Sequence, residues 1–152
     1  MLAALLAIHL LAVVIWVGGM FFAHFMLRPS ANDLELESRV LLWSRVLRRF
    51  FAVVWGVVLV LPVTGYAMIL LYLDGLAGQP LHIHLMQGMA WTMIALFVYL
   101  YTGPYRRMQW MVGQLLFPEA GLYLGRIRTV VTINMAIGIM TVVVASAGRY
   151  LS

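Results

Sequence analysis

Four long apolar segments decide what this chain can fold into. They span residues 3–27, 50–73, 84–102 and 129–148. A helix needs about 20 apolar residues to cross the roughly 30 Å hydrocarbon core of a membrane, so each segment is long enough. Lipid offers no hydrogen-bond partner to backbone groups, and therefore each segment must be helical. The sequence predicts an all-α protein, an integral membrane four-helix bundle that forms a single transmembrane domain over residues 1–152.

The composition excludes several classes of protein. Hydrophobic residues make up 64% of the chain and charged residues only 10%, which is too little polar surface for a soluble domain. Since there is no cysteine, disulfides, thiolate metal sites and thiol redox chemistry are excluded. All ten basic residues are arginines that flank apolar segments, so they indicate membrane topology and contact with the lipid bilayer rather than with nucleic acid.

The arginines also predict how the chain is oriented. All of them except Arg149 lie in the connections 28–49 and 103–128. By the positive-inside rule both connections are cytoplasmic, which places both termini on the outer side. Within the first connection, residues 33–48 predict an interfacial helix, and Gly103–Pro104 predicts the end of the third helix.

The first and third segments share a motif, a histidine followed seven residues later by a tryptophan. The motif is His9–x6–Trp16 in the first segment and His84–x6–Trp91 in the third. Helical spacing adds Gly19 to the stripe of His9 and Trp16, and small residues let a backbone or a flat cofactor come close. An ionisable residue inside a membrane span is by default a functional-site hypothesis, and a structural, hydrogen-bonded histidine is the alternative.

These two stripes lead to the hypothesis of a haem site. Both helices run from outside to inside, so both histidines lie in the outer half of the bilayer. If the helices face each other, His9 and His84 supply the two axial ligands to the iron of a b-type haem. Trp16 and Trp91 would line the pocket. Asn134, from the fourth segment, is expected to make an interhelical hydrogen bond, and in the haem hypothesis it would position the haem.

A copper site is the alternative, because thioether and imidazole groups are ligands of Cu(I). His82, His84, Met86 and Met89 cluster near the outer start of the third helix. Methionine is also a common filler of apolar packing, and the eleven methionines of this chain occur in all four segments. His82 has a second interpretation as a residue of the wet membrane interface.

Further motifs carry a resemblance to a known family. The run from His9 to Phe22, then Arg49–Phe50–Phe51–x3–Trp55, and finally Arg126–x–Arg128–x5–Asn134 resemble the first, second and last helices of the copper resistance protein D (CopD) family. The resemblance implies a multi-pass protein of the bacterial inner membrane, named for copper uptake or resistance, with periplasmic termini.

The CopD family is in turn similar to the HemJ-type protoporphyrinogen oxidases, four-helix membrane proteins that bind haem b. The functional pair of those proteins is a histidine in helix 1 and a lysine in a His–x–Lys motif at the start of helix 3, and the resemblance implies a corresponding pair here. His9 matches that histidine, and His82–x–His84 matches that motif with His84 in the place of the lysine. Because the chain contains no lysine, this departure favours haem ligation by two histidines.

The leading prediction is therefore an inner-membrane haem protein with electron-transfer or other oxidoreductase chemistry near the outer face. The alternatives are a copper transport or resistance protein, a protoporphyrinogen oxidase, and a small structural subunit of a larger membrane complex. Stripes of small residues on several helices are compatible with a homodimer. No catalytic constellation of the soluble-enzyme type is present, since all five acidic residues lie in the connections.

Overall fold

Helices account for nearly all of the chain. In this computed structural model, which describes residues 1–72, 75 and 79–148, four helices are long and apolar enough to cross a membrane. They are α1 (Leu2–Ala31), α2 (Leu36–Tyr72), α3 (Leu81–Gly113) and α4 (Phe117–Ala147). The prediction of an all-α, four-helix membrane protein is confirmed. Residue 73, the predicted end of the second segment, and Arg149 lie outside the described residues.

The helix α2 is longer than its apolar segment. The predicted interfacial helix over 33–48 continues without a break into the second span, because Leu36–Tyr72 form one helix of 37 residues. No glycine or proline interrupts residues 36–55. Trp43 and Leu47 are buried inside the bundle. Tertiary packing of these two side chains therefore carries the helix straight into the span.

Gly103–Pro104 does not end the third helix, contrary to the prediction. Tyr101–Tyr105 form a π-helical turn, and α-helix resumes over Arg106–Gly113. A proline in an α-helix lacks a hydrogen-bond donor, and its ring collides with the carbonyl group four residues earlier. The wider π turn accommodates both defects, and Pro104 is buried there.

The helices are longer than a membrane is thick. The 37 residues of α2 extend over about 55 Å at 1.5 Å per residue, against roughly 30 Å of hydrocarbon. The surplus lies where α1 ends, α2 begins, α3 ends and α4 begins. We call this part of the bundle the arginine end, because it carries Arg28, Arg39, Arg45, Arg48, Arg49, Arg106, Arg107, Arg126 and Arg128. The positive charge of the described residues is therefore concentrated on one side of the membrane.

Side-chain packing joins the helices into one bundle, with α1 mainly against α2 and α3 mainly against α4. In the centre, Phe97 contacts Trp16 and Phe51 edge-to-face, with ring centroids 6.3 and 5.5 Å apart. Nearer the arginine end, Ser44 donates a hydrogen bond to the side chain of Gln109 at 2.8 Å, and the Gln109 amide donates to the Ser44 carbonyl at 3.1 Å. Large apolar side chains cover the outside, where lipid solvates them.

Gly138 lets α4 approach α1 closely. A Cβ atom at this position would lie 2.8 Å from Cγ2 of Val17 and 3.0 Å from Cε of Met93. Since a β-branched side chain in a helix has one strongly preferred rotamer, Val17 cannot turn away without cost. We expect Gly138→Ala to lower the free energy of unfolding by about 1–3 kcal/mol, measured by denaturant titration in mild detergent.

Gly125→Ala is the matched control on the same helix, because nothing lies within 4 Å of a Cβ atom added there. It should leave the free energy of unfolding unchanged or raise it slightly, since alanine has the higher helix propensity. Equal effects of the two substitutions would contradict a close contact between α1 and α4 at Gly138.

Candidate functional site

A cavity of about 260 Å³ lies between the four helices, in the half of the bundle away from the arginine end. Residues from all four helices line it, and most are aliphatic or aromatic. Its other lining side chains, polar or sulfur-bearing, belong to His9, Tyr66, Met68, Met86, Gln87, Met93 and Thr141. An apolar cavity with a few convergent polar groups is the usual form of a small-molecule site, which makes this cavity the candidate site.

Thr64 holds the imidazole of His9 in one tautomer. Oγ1 of Thr64 lies 2.8 Å from Nδ1 of His9, 2.7 Å from the carbonyl oxygen of Val60 and 3.2 Å from that of Leu61. The hydroxyl group has one proton, which it donates to the carbonyl groups of its own helix. Its oxygen must then accept the proton on Nδ1, so Nε2 carries a lone pair. Metal-binding histidines are oriented in this way, by a partner on the other ring nitrogen.

Gly65 makes room for this ring on the surface of α2. A Cβ atom added at Gly65 would lie 3.4 Å from Cε1 of His9, so the imidazole rests directly against the helix backbone. Pro62, one turn earlier, also lines the cavity and has no backbone N–H to donate. The helix α2 therefore positions His9 through Thr64 and Gly65.

A hydrogen bond joins α3 to α2 beside the cavity. Nε1 of Trp91 donates to the hydroxyl group of Tyr66 at 3.1 Å, and both side chains line the cavity. Trp91 is 51% exposed, so this pair forms part of the wall between the cavity and the lipid. Trp16 is buried and lines the same cavity. The structure thus brings both tryptophans of the repeated motif to one cavity with His9.

Three thioethers line the same cavity, Met68 from α2 and Met86 and Met93 from α3. The sulfur of Met89, between the last two on α3, lies 3.4 Å from Oγ1 of Thr141, whose proton is donated to the carbonyl oxygen of Ile137 at 2.8 Å. Among the described residues, no group of three or more histidine, cysteine, aspartate or glutamate side chains could hold a metal ion. The cavity therefore offers soft donors, one imidazole and three thioethers.

His84 does not face His9, contrary to the prediction. Its side chain is exposed on the outside of α3 and does not line the cavity. Successive residues of an α-helix are about 100° apart around the axis, so His84 and Met86 lie on nearly opposite faces. Because Met86 faces the cavity, His84 faces away from it. The opposed pair of histidines is not formed.

The predicted copper cluster near the start of α3 is also dispersed. Met86 lines the cavity, whereas Met89 contacts Thr141. His82 lies against α4, where a Cβ atom added at Gly148 would be 2.9 Å from its Cγ. The exposed His84 lies apart from all of these contacts, so these four side chains do not converge on one point.

Gly19 and Asn134 serve helix packing and do not line the cavity. A Cβ atom at Gly19 would lie 2.9 Å from Cζ of Phe50, so this glycine accommodates an aromatic ring of α2. The buried amide group of Asn134 donates to the carbonyl oxygen of Met93 at 3.4 Å. This is the interhelical hydrogen bond that the sequence predicted for Asn134.

Three residues of the cavity were missed at the level of sequence. Met68 lies four residues after Thr64 and shares its face of α2, and a threonine beside Gly65 in an apolar span is the signal that points to this face. No pattern points to Tyr66 as the partner of Trp91. Gln87 lines the cavity with its amide nitrogen buried and without a hydrogen-bond partner in the described part of the chain, so a bound water or ligand can accept a hydrogen bond there.

The comparisons with known proteins give one match. The sequence model of the family described as CopD, copper resistance protein D, matches residues 44–147. This range is more than half of the chain and covers most of α2 together with α3 and α4, whereas α1 and His9 precede it. No curated protein and no solved structure matches the chain.

Proposed function

This chain belongs to the copper resistance protein D (CopD) family, and we propose that it binds Cu(I) inside its helix bundle. The proposed ligands are Nε2 of His9 and the thioether sulfurs of Met68, Met86 and Met93. Copper is the cargo or substrate of this site, held for passage into or across the membrane. The protein then acts in copper uptake or resistance, as the name of its family suggests.

One observation carries this proposal, the meeting of soft donors from three helices in one apolar cavity. Cu(I) prefers thioether and imidazole ligands, whereas Mg²⁺ and Ca²⁺ sites are usually built on carboxylates, and no aspartate or glutamate among the described residues lines the cavity. The hydrogen bond from Nδ1 of His9 to Thr64 leaves Nε2 free to bind a metal. A monovalent ion also carries the smallest charge into an apolar interior.

The depth of the cavity fits a site reached from the outer face. His9 lies seven residues after Leu2, the first residue of α1, which is about 10 Å along the helix axis. By the positive-inside rule the arginine end is cytoplasmic, and the cavity then lies in the outer half of the membrane. We propose that copper enters from the periplasmic side of the bacterial inner membrane.

A b-type haem is the second candidate, and the lone pair on Nε2 of His9 beside an apolar cavity favours it. The rest of the cavity fits a haem poorly. No second histidine lines it among the described residues, and its volume of about 260 Å³ is below the roughly 300–1,000 Å³ of pockets for drug-sized ligands, which are smaller than a haem.

Titration with Cu(I) tests the proposal and separates it from haem binding. The purified chain, in detergent and without oxygen, should bind one Cu(I) ion with X-ray absorption features of nitrogen and sulfur ligands. Its visible spectrum should stay flat before and after dithionite. Sharp α and Soret bands after reduction, together with stoichiometric iron, would contradict the copper proposal and identify the ligand as haem. If neither metal binds, the proposal fails and a structural subunit of a membrane complex becomes the better interpretation.

Thr64→Val should weaken Cu(I) binding about 10- to 100-fold, because the hydrogen bond that orients His9 is lost while the volume is kept. Thr92→Val is the matched control: Thr92 makes the same type of bond to a carbonyl group of its own helix, that of Gly88, and it is exposed. The affinity for Cu(I), measured by competition with a coloured chelator, should be unchanged in the control. Equal affinities of the two variants would contradict the role given to Thr64.

A further inference from the structure

A second, much smaller cavity of about 30 Å³ lies at the arginine end, between α1, α2 and α4. His24 and Arg28 of α1, Trp43 of α2 and Arg128 of α4 line it. This volume is about that of one water molecule or of one oxygen of a larger group. The other lining side chains are aliphatic, apart from that of Phe50.

Three N–H donors in this region lack a partner. Nε and Nη2 of Arg128 are buried and donate no hydrogen bond to any group within the described residues. Nε1 of Trp43 is likewise buried and unpartnered, and Trp43 is only 4% exposed. The guanidinium carbon of Arg128 lies 5.3 Å from the centre of the Trp43 ring, so the three donors belong to one stacked pair. Buried donors without partners are costly, which indicates that something outside the described chain satisfies them.

The charges around Arg128 sharpen this requirement. Arg28 and Arg39 are close enough to act electrostatically on Arg128, and all three charges have the same sign. The carboxylates among the described residues, those of Asp33, Glu35, Glu37 and Glu119, are all exposed. None of them forms an ion pair with Arg128. A partly buried guanidinium group without a counter-ion costs stability, and an anion would compensate both its charge and its N–H groups, whereas a water molecule would compensate only the N–H groups.

We propose that Arg128 and Trp43, with Arg28 beside them, form a binding site for a phosphate group. The adjacent Nε–H and Nη2–H bonds of a guanidinium group form a planar fork that matches two oxygens of a phosphate. The indole N–H of Trp43 supplies a third donor.

The position of the site agrees with a ligand at the membrane surface. Arg128 lies eleven residues after Phe117, the first residue of α4, which is about 16 Å along the helix. The surplus length of the helices at this end brings that level near the boundary of the hydrocarbon, where phosphates of lipid headgroups lie. The same chemistry would bind a free phosphate ion, and the experiment distinguishes the two sources.

The test uses the full chain, stripped of lipid in a neutral detergent. Three probes are titrated separately: inorganic phosphate, phosphatidylglycerol, and a diacylglycerol with the same acyl chains. Each titration records the melting temperature of the protein, and native mass spectrometry detects the bound probe. We expect saturable binding of at least one of the two phosphate-bearing probes and none of diacylglycerol. Binding of phosphatidylglycerol alone identifies a lipid headgroup, and binding of inorganic phosphate identifies a soluble ion.

Substitutions locate the binding. Arg128→Gln should weaken the binding about 10-fold or more, because a charge-assisted pair of hydrogen bonds is lost. Arg126→Gln is the matched control, since Arg126 lies on the same helix, carries the same charge and is exposed. The affinity of the Arg126→Gln variant for the phosphate-bearing probe should change less than about twofold, as expected for a solvated surface charge.

Two milder variants keep the test decisive if Arg128→Gln does not fold. Arg128→Lys retains the charge and loses the planar fork, and Trp43→Phe retains an aromatic ring and loses the N–H donor. Both should weaken the binding by a few-fold. Any of three results would overturn the proposal. The first is an equal loss of binding in Arg128→Gln and Arg126→Gln, and the second is unchanged binding in both milder variants. The third is that neither phosphate probe binds saturably to the unmodified chain.

Discussion

Replacing His9 by alanine is expected to lower the affinity for Cu(I) by at least about 100-fold, more than the loss of its hydrogen-bond partner Thr64 causes. Nε2 of His9 is the only nitrogen ligand proposed for the site, and the cavity is too apolar to offer a substitute. The His9 ring contacts Thr64 and Gly65 of α2. The substitution removes this ring and leaves the other side chains of the proposed site unchanged. The measurement is an anaerobic competition between the protein and a coloured Cu(I) chelator.

His84→Ala provides the matched control for this prediction. Each histidine belongs to one copy of the repeated motif, His9 in the first helix and His84 in the third. His84, however, is exposed and does not line the cavity. The control should bind Cu(I) as the unmodified chain does. A loss of binding in His84→Ala with retention in His9→Ala would reverse the assignment and return the site to the outside of α3.

Replacing Met68, Met86 and Met93 together by leucine is the second large expected effect. The imidazole alone would remain, and we expect the affinity for Cu(I) to fall by at least about 100-fold because all three soft sulfur ligands are lost. Leucine has nearly the volume of methionine, and such a swap usually costs less than about 1.5 kcal/mol of stability at each position. The variant should therefore stay folded, which its melting temperature in detergent checks.

The chain offers a control triple of the same chemistry. Met20, Met108 and Met135 are buried, as Met93 is, and none of them lines the cavity. Their joint replacement by leucine should leave the affinity for Cu(I) unchanged while it perturbs the packing to a similar extent. If both triples bind Cu(I) as well as the unmodified chain, the methionines of the cavity are fillers of apolar space and the proposed donor set is wrong.

Helix boundaries show how far local signals reach in this chain. The apolar segments predict four spans because lipid requires helical backbone, and the spans are found. Hydropathy does not determine where the helices end, because tertiary packing and backbone geometry set these boundaries. Burial of Trp43 and Leu47 extends α2 toward its beginning. A π turn carries α3 past Pro104. Neither effect is visible in hydropathy, since the first depends on distant residues and the second on a rare backbone geometry.

What the sequence by itself determined is the membrane-spanning fold, the concentration of arginines at one end, the absence of thiolate ligands and the presence of His9 inside a span. Only the tertiary structure decided which residues share the cavity with His9. In a soluble protein the polar face of a helix reveals its buried face, but lipid is as apolar as the core, so a helix such as α3 is apolar on all sides. Its rotation about its own axis is set by packing against α4. That packing turns Met86 and Met93 toward His9 and leaves His84 outside.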